Sequence, residues 1–290
     1  MIESIARTFA GLAERGLLPE AFGYVFLVRG LLAILLIGPL LGGLSHLVSA
    51  RRLAFLSAAL GHASLTGVAI GILLGESITG PHFALFGFCV LAGLWMTFAK
   101  RHTQLPSDTL IGVFLAGSLG LGITLLVAVT RSFNIHQIEG VMFGSLLTVT
   151  DLDLAILAAG GAIVGLVIGW SYNDLLLDSV SSELAYAKGA RTAMLDYLFV
   201  LLLTISIVVS IKIIGALLVE AFVIVPAAAA RNVARNVRST VVISILVAWV
   251  SGVIGIFISS ISPVPTGGAV VLVMTAFFAL TLLTAIFRRR

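Results

Sequence analysis

Apolar runs long enough to cross a bilayer follow one another along almost the whole chain, and nothing constrains its fold more. At about 20 helical residues per 30 Å of hydrocarbon, they fall near 24–49, 53–74, 83–99, 109–130, 154–170, 194–211, 213–230, 239–261 and 268–287. In lipid a segment must satisfy its own backbone hydrogen bonds, so such runs form helices. The expected fold is all-α, a polytopic transmembrane bundle of eight or nine spans. With 60% hydrophobic and 10% charged residues over 290 positions, the composition excludes an ordinary soluble domain. The stretch 131–153, RSFNIHQIEGVMFGSLLTVTDLD, is too polar to face lipid. It reads as an external connection whose GVMFGSLLTV centre lies against the bundle or re-enters. The weakest pair of spans is 194–230, where Lys212 implies a tight turn between neighbouring helices.

Positive charge sets the orientation, because short loops rich in Lys and Arg stay in the cytoplasm. Arg51 and Arg52, Lys100 and Arg101, Lys188 and Arg191, then Arg231, Arg235 and Arg238, and finally Arg288 to Arg290 fall on alternate connections. The connections between them hold much less positive charge. This places the C-terminus inside and, with nine spans, the N-terminus outside; one span fewer reverses the N-terminus. The net charge of +4 is spread over these clusters rather than along one face, so it marks topology and not a nucleic-acid surface.

Residues 1–23 form a mildly amphipathic N-terminal segment without the marks of a signal peptide, and 24–290 form the membrane domain. The 30 glycines are plentiful in the spans, where small residues let helices approach closely. Pro39 and Pro226 lie within spans and release backbone carbonyls. The single cysteine, Cys89, sits in an apolar run, which excludes a disulfide framework and a thiolate metal cluster.

Few side chains are left that can carry chemistry. Glu220 interrupts the run IIGALLVEAFVIVPAAAA, and an ionisable group at the bilayer centre faces a polar pathway or a partner rather than lipid. His62, in AFLSAALGHASLTGVAIGILL, lies eleven residues after Arg51, and Glu220 lies eleven before Arg231. At 1.5 Å per residue both stand about 16 Å from a membrane face, so the two are expected to meet at the midplane. Imidazole and carboxylate together suit a divalent transition metal. The competing account is a protonated Glu220 and a neutral His62, hydrogen-bonded within the bundle. His46, five residues before Arg51, is a candidate exit ligand or simply an interfacial polar residue. His82, His102 and His136 are weak metal candidates on the connections. Asp151 and Asp153 are read as caps of the helix that follows them.

On the cytoplasmic side, SYNDLLLDSVSSELAYAKGARTAMLD reads as a segment over 171–193 containing a short helix, SSELAYAK, a stop at Gly189 and a new helix from about Thr192. A surface helix here has a partner to dock with, or is a solvated loop. The chain contains no G-x-x-x-x-G-K-[ST] run, so a cycle driven by ATP takes its motor from another chain.

Six segments in order resemble one family, the membrane permease subunit of bacterial ABC importers for zinc, manganese or iron. GHASLTGVAIG, SDTLIGVFLAGSLGLGI, FGSLLTVTDLDL, SSELAYAKGARTAMLDYLF, IIGALLVEAFVIVPAAAAR and SPVPTGGAVVLV carry the resemblance over nearly the whole chain, from about Val28 to Phe287. It implies a multi-pass protein of the bacterial cytoplasmic (inner) membrane that acts as a homodimer among membrane lipids, with no nucleic acid. Further implied are ATPase subunits inside, an extracytoplasmic metal-binding protein outside, a divalent metal as cargo and no permanently bound cofactor. On this reading His62, Glu220 and His46 are metal ligands, and Glu183, Ala187 and Gly189 act in coupling to the ATPase.

The chain departs from the family twice. Many members carry an aspartate four residues before the histidine, where this chain has Ala58, and a small or apolar residue at the position of Glu220. The carboxylate is therefore expected to have moved from one helix to another. Rival readings are a secondary metal transporter or channel working without an ATPase, and an ABC permease for a metal chelate. An intramembrane hydrolase built on Ser45 and His46 or on Ser64 and His62 is disfavoured, since no third group orients the pair.

Overall fold

The computed structural model describes residues 24–76, 82–130, 144 and 149–288; the expected amphipathic segment 1–23 and His136 lie outside them. Nine helices form the described part: α1 (Val25–Ala50), α2 (Ala54–Leu73), α3 (His82–His102), α4 (Ser107–Thr130), α5 (Asp151–Val180), α6 (Ser182–Ala187), α7 (Thr192–Val233), α8 (Val237–Ile261) and α9 (Thr266–Arg288). Eight of them, all but α6, are long and apolar enough to cross a membrane.

Two of the nine expected spans, 194–211 and 213–230, lie on the single helix α7. It is broken at Gly215, whose φ of 77° and ψ of 162° are not helical. The break reverses the chain. If straight, α7 would separate Asp196 from Arg231 by about 52 Å. Yet Asp196 binds Arg51 at 2.9 Å, and Arg231 donates to Ser49 Oγ at 2.8 Å, two residues away. The arms 192–214 and 216–233 therefore run in opposite directions, as two separate spans would.

Ion pairs join helix ends at the two faces. Arg29 binds Asp151 at 2.8 Å, and Lys212 binds Asp153 at 2.7 Å, so the starts of α1 and α5 and the top of the first α7 arm share the outer side. Thr150 and Asp153 also form a reciprocal capping box at the start of α5, so of the acidic pair expected to cap it Asp153 does so, while Asp151 holds Arg29. Gly144, in the long outer connection, lies against the backbone of Ile214 and Gly215, so that connection touches the bundle at the break in α7.

α5 spans 30 residues, more than expected, and continues to Val180. Residues 171–180 thus belong to a membrane helix, and the cytoplasmic connection starts only at Ser181. Ser181 caps α6 by accepting from Leu184 N–H at 3.3 Å. Gly189, at φ 83°, ends that unit with its N–H donated to Tyr186 O at 2.8 Å, a left-handed position that glycine takes without steric cost.

Close packing takes the place of a water-driven core. A Cβ at Gly67 would stand 2.6 Å from Leu85 Cα, which brings α2 and α3 into backbone contact. Pro39 removes the N–H that Leu35 O would accept four residues along α1. The indole of Trp249 on α8 donates to that carbonyl instead, at 2.9 Å. The freed carbonyl is thus used to join two helices rather than to line a cavity. α2 and α7 are the enclosed members of the bundle, with 78% and 72% of their most apolar stretches buried, against 11% for α9. These two helices carry His62 and Glu220.

Candidate metal pathway and cytoplasmic docking face

α2 leaves the cytoplasmic face after Arg51, and the second arm of α7 returns to it at Arg231, so the two are antiparallel. Their register is set where Gly61 meets Ala216: a Cβ on Gly61 would lie 3.2 Å from Ala216 Cβ. One helical turn inward from this contact, Glu220 follows Ala216 on the same face of α7, while Ser57 and Ala58 precede Gly61 on the same face of α2. Glu220 is therefore directed at the Ala58 position. His62 sits about one turn, roughly 5–6 Å, further out.

Counting from the arginines puts the two groups level, whereas the Gly61–Ala216 contact sets Glu220 about a turn inward of His62. Both residues are half-buried. His62 Nδ1 is sealed from solvent without a hydrogen-bond partner. Ala58, at 6% exposure, offers no polar atom of its own.

His46 is 8% exposed, and both its ring nitrogens are sealed without a partner. It lies one turn outward of Ser49, to which Arg231 donates, and so sits well inward of Glu220. Among the described residues no three His, Cys, Asp or Glu side chains gather at metal-binding distance. His46 thus stands apart from His62 and Glu220, on the inward side where an exit ligand was expected. Ser45 and Ser64 donate their hydroxyls to Gly42 O at 2.9 Å and Gly61 O at 2.5 Å, within their own helices, and neither is engaged by an adjacent histidine. His102 stacks on Phe98 at 4.0 Å between ring centroids at the exposed end of α3.

At the cytoplasmic face α6 stands out from the bundle on one buried residue, Ala185. Glu183, Ala187 and Gly189 are exposed, as the coupling reading requires. Leu184 and Tyr186, 57% and 76% exposed, present apolar surface beside them. Sequence reading passed over these two, although large apolar side chains in a short polar connection were the available signal. Next to α6 opens a cavity of about 580 Å³ whose lining includes Arg51, Arg52, Lys100, Arg101, Asp178 and Asp196.

Residues 23–285 match the ABC-3 family, described as the ABC 3 transport family. The chain belongs to that family. Among relatives of this ABC 3 protein, the manganese import system permease protein ScaB of Streptococcus gordonii is 31% identical over 260 residues, covering 90% of this chain and 91% of ScaB. The high-affinity zinc uptake system membrane protein ZnuB of Haemophilus influenzae is 30% identical over 232 residues, covering 80% and 87%. The solved structure of PsaBC from Streptococcus pneumoniae in complex with Fab superposes with a TM-score of 0.77 at 28% identity, over 95% of this chain and 94% of that one. Family membership and eight apolar helices make the ABC 3 protein a multi-pass protein of the bacterial inner membrane.

Proposed function

We propose that this ABC 3 protein is the permease subunit of an importer that moves a divalent transition-metal ion, zinc, manganese or iron, into the cytoplasm. ATPase subunits docked on α6 drive the two faces open in turn, two copies of the chain form the membrane unit, and an extracytoplasmic binding protein delivers the ion. Relatives named for manganese import and zinc uptake support the cargo class. The observation that carries the site is the register of α2 on α7, which aims Glu220 at Ala58 one turn inward of His62.

The carboxylate that many family members hold on the histidine's own helix comes here from the opposing helix. Imidazole and carboxylate bind a divalent ion through neutral nitrogen and anionic oxygen. Reached one after the other rather than as a closed ligand set, they hold it weakly enough to release, as transport demands. The ion passes from His62 to Glu220, then inward past His46. Alternation between outward and inward states follows from the different contacts each state makes with the ATPase, which bias one equilibrium.

The test is ATP-dependent uptake of labelled zinc, manganese and ferrous iron into vesicles holding this chain with its ATPase and binding protein. His62→Ala and Glu220→Gln each lower uptake at least about tenfold, the scale on which even supporting groups around a metal act, with membrane insertion unchanged. Returning the carboxylate to α2, as Ala58→Asp combined with Glu220→Ala, restores uptake. Wild-type rates in Glu220→Gln would remove that residue from the pathway.

A further inference from the structure

We propose that Arg51 is the positioning residue through which α6 moves the pathway helix α2; this rests on the reading that α6 docks the ATPase. Arg51 caps the end of α1 and opens the short turn into α2. One guanidinium nitrogen donates to Asp178 Oδ2 at 2.7 Å and to Leu175 O at 3.3 Å, and another donates to Asp196 Oδ1 at 2.9 Å. The guanidinium also lies over the Phe199 ring, 4.9 Å from its centroid. Arg101, at the end of α3, takes the second oxygen of Asp196 at 2.8 Å.

The two carboxylates bracket the docking unit. Asp178 stands three residues before Ser181, the cap of α6, and Asp196 stands five after Arg191, the cap of α7. Any displacement of 181–191 therefore acts on both acids, and both hold the same guanidinium. Arg51 opens the turn into α2, and His62 stands eight residues past the start of that helix at Ala54, about 12 Å along it. A push on α6 thus reaches the pathway through one side chain.

Charge and burial make this joint stiff. Arg51 and Asp178 have side chains 5% and 3% exposed, and the two arginines and two aspartates balance. Removing one member leaves a buried charge without its partner. Lysine does not substitute, because a single ammonium lacks the planar fork that spans two carboxylates while stacking on a ring. The network also holds unmade bonds. Arg51 Nε and Asp178 Oδ1 are sealed without partners, whereas buried polar groups are nearly always paired. A second arrangement of the same four residues has hydrogen bonds to gain, which suits a joint that alternates between two states.

The experiment uses the reconstituted complex of this chain, its ATPase and its binding protein in vesicles, and measures metal ions transported per ATP hydrolysed. Arg51→Lys keeps ATPase co-purification and ATP hydrolysis within about twofold of wild type, while metal per ATP falls at least tenfold. Phe199→Leu keeps the ion pairs but loses the ring that orients the guanidinium, and lowers the same ratio a few-fold. A purely structural staple would lower assembly and hydrolysis together and leave the ratio unchanged; that result, with ATP-driven uptake intact in wild type, overturns the role of Arg51 alone. Wild-type uptake that needs no ATPase overturns the docking reading as well.

Discussion

Replacing Gly215 by alanine tests the feature on which the pathway geometry depends. At φ 77° and ψ 162° the residue occupies a backbone region almost confined to glycine, where a Cβ costs about 1–3 kcal/mol. Alanine recovers only about 0.4–1 kcal/mol by restricting the unfolded chain, so Gly215→Ala destabilises by about 1–2 kcal/mol net. At roughly 2–4 °C per kcal/mol for a chain of this size, the melting temperature falls by about 2–8 °C. Cys89 provides the readout: it is the single cysteine, 0% exposed, and reacts with a fluorogenic maleimide only when the detergent-solubilised bundle opens. Gly165→Ala is the control, because that glycine is helical and a Cβ there meets nothing within 4 Å. Alanine raises helix stability by about 0.5–1 kcal/mol at such a site, so the control melts at or above wild type. If Gly215→Ala also melts at or above wild type, the break in α7 is not held in the conformation described.

A Cβ at Gly67 would lie 2.6 Å from Leu85 Cα, and backbone cannot swing aside, so Gly67→Ala lowers stability by about 1–3 kcal/mol in the same melt, whereas Gly112→Ala, which has open space around it, does not. The fold-back predicts that cysteines at positions 49 and 231, in a Cys89→Ser background, are joined by a short bifunctional maleimide. Cysteines at 49 and 212 are not joined, and failure of the 49–231 pair to be joined would mean that α7 does not double back.

Much of the architecture was legible because the bilayer leaves few options. The apolar runs, the alternating arginine clusters and the short helix ended by Gly189 each report a local rule, and each reappears in the structure. The rest depended on which helices touch. A tight turn was legible at Lys212, but only the packing shows that the break falls three residues later, at Gly215. The relative depth of Glu220 and His62 depends on the neighbour that sets the register, here Gly61 against Ala216, which helix length alone does not carry. Arg51 read as a topology signal, since its two acidic partners are 127 and 145 residues away.

By itself, then, the sequence determined that the chain is a membrane-spanning helical bundle and that His62 and Glu220 are its conspicuous polar groups within the apolar spans. These follow from hydrophobicity and charge, which act residue by residue against lipid and water. The tertiary structure alone decided that α7 turns at Gly215, that Gly61 meets Ala216 and so sets the register of α2 on α7, and that Arg51 bonds to both acids flanking the docking unit. Those are contacts between residues far apart in the chain, and their geometry is set by how small and large side chains interlock between helices, which no local pattern encodes.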